Sequence, residues 1–345
     1  MAKQLGVLTG GGDCPGLNAA IRAVVRGALA RGYEVVGIRH GWRGLVEGDF
    51  VPLTRSDIAG ILPRGGTILG TTGFDPLREE EHVAQLLRNA AALDALVAIG
   101  GDGTLGRAAR LHGEHGLPVV CVPKTIDNDV GGTDATIGFD TAVAIATEAI
   151  DRLHTTAESH DRVMVIEVMG RHAGWIALES GIAGGADIIL IPEEPLPVEE
   201  VCACVDRRHL HGQAFSIVVV AEGWPLTTRE GVGGLVAHGT DEYGFLRLGG
   251  VGAMLGAEVA ARTGFETRVT VLGHVQRGGT PTARDRVLAT RLGLHAVELA
   301  ATGSFGVVVG LHGDTVAATP LADAIAASPR TVPPATYAAA RTLFD

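Results

Sequence analysis

LGVLTGGGDCPGLNAAIRAVVRGALARG, residues 5–32, carries three local signals in one stretch. LGVL is an apolar run of strand length. TGGGDCPG is a turn whose consecutive glycines let the backbone bend sharply and approach a ligand closely. LNAAIRAVVRGALARG places apolar residues at helical spacing. Strand, glycine turn and helix in that order form a βα unit, and the rest of the chain repeats it. Similar runs recur at EVVGI (34–38), ALVAIG (95–100), PVVCVP (118–123), RVMVIEV (162–168), ADIILIP (186–192), FSIVVVAE (215–222), RVTVLG (268–273) and FGVVVG (305–310). Most are continuous β-branched stretches rather than alternating ones, as expected of strands covered on both faces by helices.

The expected fold class is therefore α/β, with two Rossmann-like domains whose mainly parallel sheets are covered by helices on both faces. GFDTAVAIATEAIDRLHTTAESH reads as a long helix crossing from one domain to the next, which puts a boundary near residue 140. Glycines cluster where the apolar runs stop, at TGGGDCPG, RGGTILG, IGGDGTLG, VGGTDATIG and VQRGGTP. Ligands of open parallel sheets bind beyond the carboxyl ends of the strands. These clusters point to one crevice, an active site in the cleft between the domains. The weakly patterned stretch 223–245 is expected to be a mobile surface loop.

The 345 residues are long enough for two domains with sizeable cores. A formal net charge of -11 argues against non-specific binding to nucleic acid or anionic membranes. Any phosphate ligand then needs local cations. No apolar run approaches the ~18 residues of a membrane span, and MAKQLGVLTGG lacks the layout of a secretory signal, so a cytoplasmic protein is expected. Cys14, Cys121, Cys202 and Cys204 match neither a redox pair nor a zinc framework and read as reduced thiols. Of the 28 cationic side chains only Lys3 and Lys124 are lysines. Lys124 is either a chemically specific choice or a residual lysine.

Five motifs carry chemistry. In TGGGDCPG, Gly10, Gly11 and Gly12 would let backbone N–H groups and a helix dipole meet a phosphate. A plain strand-to-helix turn is the alternative, and the absence of a GxxxxGK pattern excludes a P-loop. IGGDGT (99–104) adds Asp102, either a ligand of Mg²⁺ beside bound phosphates or a helix N-cap. PKTIDND (123–129) puts Asp127 and Asp129 two residues apart. In an extended segment both would point one way and Asn128 the other, one acid taking a hydroxyl proton and the other reaching the metal through water. Turn-forming Asx residues are the alternative. MGRHAG (169–174) and VLGHVQRGG (271–279) offer Arg171, His274 and Arg277, which are phosphate clamps or surface ion pairs.

Taken in order, LTGGGDCPGLNAAIR, RGGTILG, IGGDGT, PKTIDND, SHDRVMVIEVMGR and ETRVTVLGHVQRGG closely resemble the 6-phosphofructokinases, from about residue 3 to 310. The resemblance implies transfer of the γ-phosphoryl of ATP to the 1-hydroxyl of fructose 6-phosphate. It makes residues 1–139 with about 276–327 the donor domain, and 140–275 with about 328–345 the sugar-phosphate domain. Asp127 then matches the general base, Asp102 the magnesium ligand and Asp129 a second acid near the metal. Arg171 matches the arginine that stabilises the transferred phosphoryl, alongside Thr125 and Lys124. Gly11, Gly12, Gly73, Asp102, Gly103 and Thr104 fall on the nucleotide site. Met169, Gly170, Glu222, His274 and Arg277 match contacts to the sugar phosphate, together with Thr125, Asp127, Asp129 and Arg171. Arg162 and Arg268 match contacts that reach in from a neighbouring subunit. A homo-oligomer with shared active sites is implied, a tetramer first and a dimer second.

The pattern departs from the ATP-dependent type twice. Gly73 stands where an arginine is usual, and Lys124 precedes TIDND, where pyrophosphate-dependent enzymes carry lysine. Gly103 is nonetheless the ATP-type residue. An aspartate there would set a carboxylate near a nucleotide's α-phosphate, and like charges about 4 Å apart cost roughly 4 kcal/mol at an effective dielectric near 20. ATP is the expected donor and pyrophosphate the alternative, with Lys124 making up for the arginine absent at Gly73. A catalytically inactive sugar-phosphate-binding paralogue is the reading from another class, and sedoheptulose 7-phosphate presents a similar acceptor. Arg22, Arg26 and Arg55 match cations of the family's effector site, but HLHGQAFSIVVV lacks the basic pair before its strand. Weak or altered effector control is expected.

Overall fold

The computed structural model of the protein describes residues 3–240 and 246–344. The chain divides into two compact units, Met1–Thr141 with Arg277–Arg330, and Ala142–Gln276 with Thr331–Asp345. The first begins with β1 (Gln4–Thr9), α1 (Leu17–Ala30), β2 (Glu34–Ile38), α2 (Trp42–Glu47) and β3 (Phe50–Pro52). It continues through α3 (Glu80–Ala90), β4 (Ala95–Gly100), α4 (Asp102–His115), β5 (Val119–Thr125) and β6 (Ile137–Gly138). The boundary between units falls inside α5 (Phe139–His160), the long helix expected there.

The second unit follows with β7 (Val163–Val168), α6 (Trp175–Ala183), β8 (Ile188–Leu190), α7 (Val198–Leu210) and β9 (Ser216–Ala221). Next come β10 (Thr227–Thr228), β11 (Gly231–Val232), β12 (Ala237–Thr240), β13 (Leu246–Leu248), α8 (Val251–Thr263) and β14 (Thr267–Val271). The chain returns to the first unit with α9 (Ala283–Thr302), β15 (Val307–His312), β16 (Thr315–Pro320) and α10 (Leu321–Ala326), and α11 (Pro334–Arg341) rejoins the second.

The first sheet runs β16-β15-β5-β4-β1-β2-β3, with β6 paired to β5. Its centre is parallel: Val7 lies opposite Gly37 on β2 and Val97 on β4, and Val97 opposite Val120 on β5. The edges β3 and β16 are antiparallel and had no sequence signal. FVP is too short for a periodic pattern, and TVAATP is half-exposed rather than apolar. From β1 the chain passes to β2 on one side, whereas β4 and β5 lie on the other. The order therefore reverses between β1 and β4, where their carboxyl ends open a crevice.

Leu8, Ile38, Leu96, Val119 and Cys121 from the strands meet Leu45, Leu105 and Leu111 from the covering helices in one buried cluster. Each such aliphatic side chain contributes roughly 1.5–3 kcal/mol by leaving water. Helices α1 and α9 approach closely because small residues face each other. A Cβ on Gly293 would lie 2.9 Å from Ala23 Cβ. A large residue at 293 would push the helices apart.

The second sheet, β14-β7-β9-β8, is wholly parallel. Buried Glu167 on β7 accepts from the N–H groups of Gly250 at 3.0 Å and Gly252 at 2.7 Å, closing the N-terminus of α8 with a negative charge. Between β9 and α8 the chain forms two short antiparallel ribbons, β10–β11 and β12–β13, where a loop was expected. Strands of two to four residues leave no periodicity to read. Residues 241–245 of that stretch lie outside the described residues. No helix among the described residues is long and apolar enough to cross a membrane.

Candidate active site

Three loops leave the same edge of the first sheet from neighbouring strands. After β1, Gly11 takes φ 77°, a conformation that favours glycine. Its carbonyl accepts from Thr71 Oγ1 at 2.5 Å, which docks the segment holding Gly73 against the glycine turn. The next carbonyl, Gly12, accepts a hydrogen bond from the ammonium of Lys124. A Cβ on Gly12 would stand 2.5 Å from Arg277 Nη1, so a guanidinium lies against the same residue. Two cations thus converge on one glycine, and Arg277 Nε is buried with no hydrogen-bond partner among the described residues. A backbone turn lined by cations with an unused donor suits an anion.

After β4, Gly101 precedes α4, and Asp102 occupies that helix's first turn. The Asp102 carboxyl reaches solvent, yet desolvation by the surrounding strand ends raises its pKa. Thr104 is buried, and its Oγ1 lies 2.6 Å from where a Gly10 Cβ would be. That close approach ties the β1 and β4 loops together. Among the described residues the Thr104 hydroxyl has no partner either. Gly103 leaves space that Arg107 partly fills. Its Nη1 donates to the Gly103 carbonyl at 3.0 Å, and its Nε pairs with Asp75 at 3.0 Å.

At the end of β5, Lys124 is only 2% exposed, and burial pulls its pKa below the ordinary lysine range. Its ammonium lies beneath the glycine turn rather than in open solvent. The Asp127 N–H donates to Thr125 Oγ1 at 3.1 Å, holding the turn tight. TIDND is not extended, as the sequence reading supposed. Asn128 adopts φ 54°, and its Oδ1 accepts from the Thr136 N–H at 3.0 Å. Asn tolerates this left-handed conformation better than most residues. Asn128 is a buried pivot, Asp127 is buried before it, and the Asp129 carbonyl accepts from the Arg330 N–H at 2.6 Å. Asp102 and Asp127 thus follow adjacent parallel strands, with Gly100 opposite Pro123 in register.

In the second unit, Met169, Gly170 and Arg171 follow β7, and Glu222 follows its neighbour β9. Arg171 has φ 52°, strained for a side chain of its size, and its N–H donates to Glu222 Oε1 at 3.1 Å. Gly223 permits the bend, because a Cβ there would lie 1.7 Å from the Arg171 carbonyl oxygen. His274 is exposed in the 3₁₀ turn Gly273–Arg277. Arg162 and Arg268 stand at the other end of the same sheet, both paired to Glu266, with Arg162 Nη2 at 2.9 Å. A strand the length of β7 separates Arg162 from Met169 by about 20 Å. The two groups stand toward opposite ends of the second sheet.

Sequence reasoning missed several residues that shape these loops. Arg107 was legible as the residue one helical turn after Gly103. Asp285 was not, since its role depends on contacts across long sequence separations. Wholly buried, it accepts from the Gly138 N–H at 2.9 Å, the Thr141 N–H at 2.8 Å and Thr141 Oγ1 at 2.5 Å. It thereby fastens β6, which pairs with Lys124 and Thr125. Arg43, 5.5 Å from the Phe74 ring centroid, is a further cation beside Gly73.

Proteins similar to this chain in sequence and in fold bear on its family. The pyrophosphate–fructose 6-phosphate 1-phosphotransferase of Streptomyces coelicolor is 58% identical over 337 residues, covering 97% of each chain. The ATP-dependent 6-phosphofructokinase 3 of the same organism is 52% identical over 344 residues, covering 99% of this chain and 100% of the relative. Among solved structures, phosphofructokinase from Saccharomyces cerevisiae superposes with a TM-score of 0.80 at 33% identity, over 99% of this chain and 46% of that one. The profile of the family described as Phosphofructokinase matches residues 4–300, and the chain belongs to that family.

Proposed function

We propose that the protein transfers the γ-phosphoryl group of ATP to the 1-hydroxyl of fructose 6-phosphate. The observation that carries the choice of donor is Gly103. The position after Asp102 holds no second carboxylate, and a Cβ there would stand 3.2 Å from Arg107 Nη1. No second carboxylate stands there to repel a nucleotide's inner phosphate, and the nearest group is Arg107, itself paired with Asp75, which favours a nucleotide. The first unit is the donor domain and the second the sugar-phosphate domain.

In this reading Asp127 accepts the proton of the 1-hydroxyl as its oxygen forms a bond to the γ-phosphorus, and the bond to the ADP oxygen breaks. Gly11, Gly12, Thr104 and Thr125 position the phosphates, with Lys124 and Arg277 supplying positive charge on Gly12 and Arg171 countering charge on the group in transfer. Met169, Gly170, Glu222 and His274 orient the sugar phosphate. No cluster of three or more His, Cys, Asp or Glu among the described residues could hold a metal. Magnesium suits such a site, because it takes one or two carboxylates and completes its shell with water and substrate phosphates. Asp102 would hold it, with Asp129 a second acid nearby, and the ion would neutralise phosphate charge.

Arg162 and Arg268 lie at the far end of the second sheet, so they serve a sugar phosphate bound by another copy. The functional form is then a homo-oligomer with shared sites, a tetramer before a dimer. The alternative donor is pyrophosphate. Three relatives at 55–58% identity are named for that activity, whereas the ATP-dependent ones stand at 52–53%. An aldolase-coupled assay with fructose 6-phosphate and each donor at equal concentration separates the two. Turnover with ATP is expected, and turnover with pyrophosphate alone overturns the assignment.

A further inference from the structure

The second unit holds a cavity of about 390 Å³ that the proposed reaction does not use. Three arginines line it: Arg207 on α7, Arg229 in the turn between β10 and β11, and Arg341 on α11. Glu200 is the one carboxylate among its described lining residues. Arg341 Nη2 stands 3.9 Å from Glu200 Oε2, at the outer limit of an ion pair. Arg207 Nη2 lies 2.9 Å from Cys204 Sγ. Arg229 is placed by its backbone N–H, which donates to Glu199 Oε2 at 3.0 Å, and the residue lines the cavity.

Three guanidiniums against one carboxylate leave an excess of two positive charges, in a chain whose formal net charge is -11. Local concentration of cations against that background attracts a compact dianion. A phosphate monoester carries close to two negative charges and three acceptor oxygens, and guanidinium forks match that geometry. The cavity falls within the usual size range of small-molecule sites, and a bare phosphate would fill little of it. Its remaining wall is apolar. Phe344 and buried Leu196 line it, the Phe344 ring set edge-on to Tyr337 with centroids 6.3 Å apart. We infer that this cavity binds a small organic phosphate monoester, its head held by Arg207, Arg229 and Arg341 and its carbon body against Leu196 and Phe344.

Phenyl phosphate is the probe for this site, with inorganic phosphate and phenol as controls. Cys204 serves as a reporter on the cavity wall. Cys204 is 7% exposed and lines the cavity, whereas Cys14 and Cys121 are 1% and 0% exposed elsewhere, and mass spectrometry reads each thiol separately. Alkylation of Cys204 in the intact protein, followed by peptide mass spectrometry, reads this cavity and not the catalytic loops. Phenyl phosphate should slow it at concentrations at least about tenfold below those needed with inorganic phosphate, and phenol should not slow it. Combining Arg229→Ala with Arg341→Ala should raise the required concentration at least about tenfold, since each removes charge-assisted hydrogen bonds. Fructose 6-phosphate turnover should be unchanged in that variant. Calorimetric titration with phenyl phosphate should show a binding event in the natural protein that the double variant lacks. Equal protection by inorganic phosphate, or heats and protection that survive the double substitution, would overturn the inference.

Discussion

The ammonium of Lys124, at the end of β5, donates a hydrogen bond to the carbonyl of Gly12 in the turn after β1. Two motifs 112 residues apart are thereby locked at one point, and Lys124 is buried. A cation placed under a glycine turn fixes that turn from below.

Burial lowers the Lys124 pKa from its ordinary 10.5. The unfolded chain therefore binds more protons than the folded one between the two values, and stability due to this group rises with pH through that window. Urea midpoints taken from neutral pH toward 10.5 should rise in the natural protein relative to Lys124→Met. A constant difference across the range would show that Lys124 is not desolvated.

Asp127→Asn keeps the shape of the side chain and removes the proton acceptor. The turnover number should fall by about 10²–10⁴-fold while the KM for fructose 6-phosphate changes little. Turnover equal to that of the natural protein excludes Asp127 as the base.

Asp102→Asn should separate activity from stability. Desolvation raises the Asp102 pKa, so its ionised form costs folding free energy that grows as pH rises from the unfolded value of 3.8 through the folded one. The variant should lose magnesium-dependent turnover, yet melt at or slightly above the natural protein at neutral pH. The two melting curves should converge in acid, and lower stability of the variant at neutral pH contradicts the sign.

Asp285→Ala strands three donors in the core, at about 1–3 kcal/mol for each unsatisfied group, without strict additivity. A loss of at least about 3 kcal/mol is expected by urea denaturation. Because Asp285 also holds β6 against Lys124 and Thr125, residual folded protein should have a lower turnover number. Full activity in the folded fraction would limit Asp285 to stability.

If Arg162 serves a neighbouring copy, Arg162→Ala and Asp127→Asn should each be nearly inactive alone. Unfolding and refolding the two together should restore partial activity, since some sites in mixed oligomers then have both groups intact. Mixtures no more active than their parents count against shared sites.

The parallel α/β character, the long helix at 139–160 and the stations of the phosphate and acid motifs are determined by local sequence. Continuous apolar runs, helical periodicity and glycine at strand ends are short-range properties that any fold of this chain must respect. The antiparallel edges β3 and β16 escaped because short or half-exposed strands carry too little pattern. Tertiary structure alone decided the rest. It turned TIDND at Asn128, set Lys124 beneath Gly12, fastened β6 through Asp285, and put Arg162 and Arg268 at the opposite sheet end from Met169. Each of these depends on which strands become neighbours, and that choice is made by burying whole faces at once, a free energy no single segment carries.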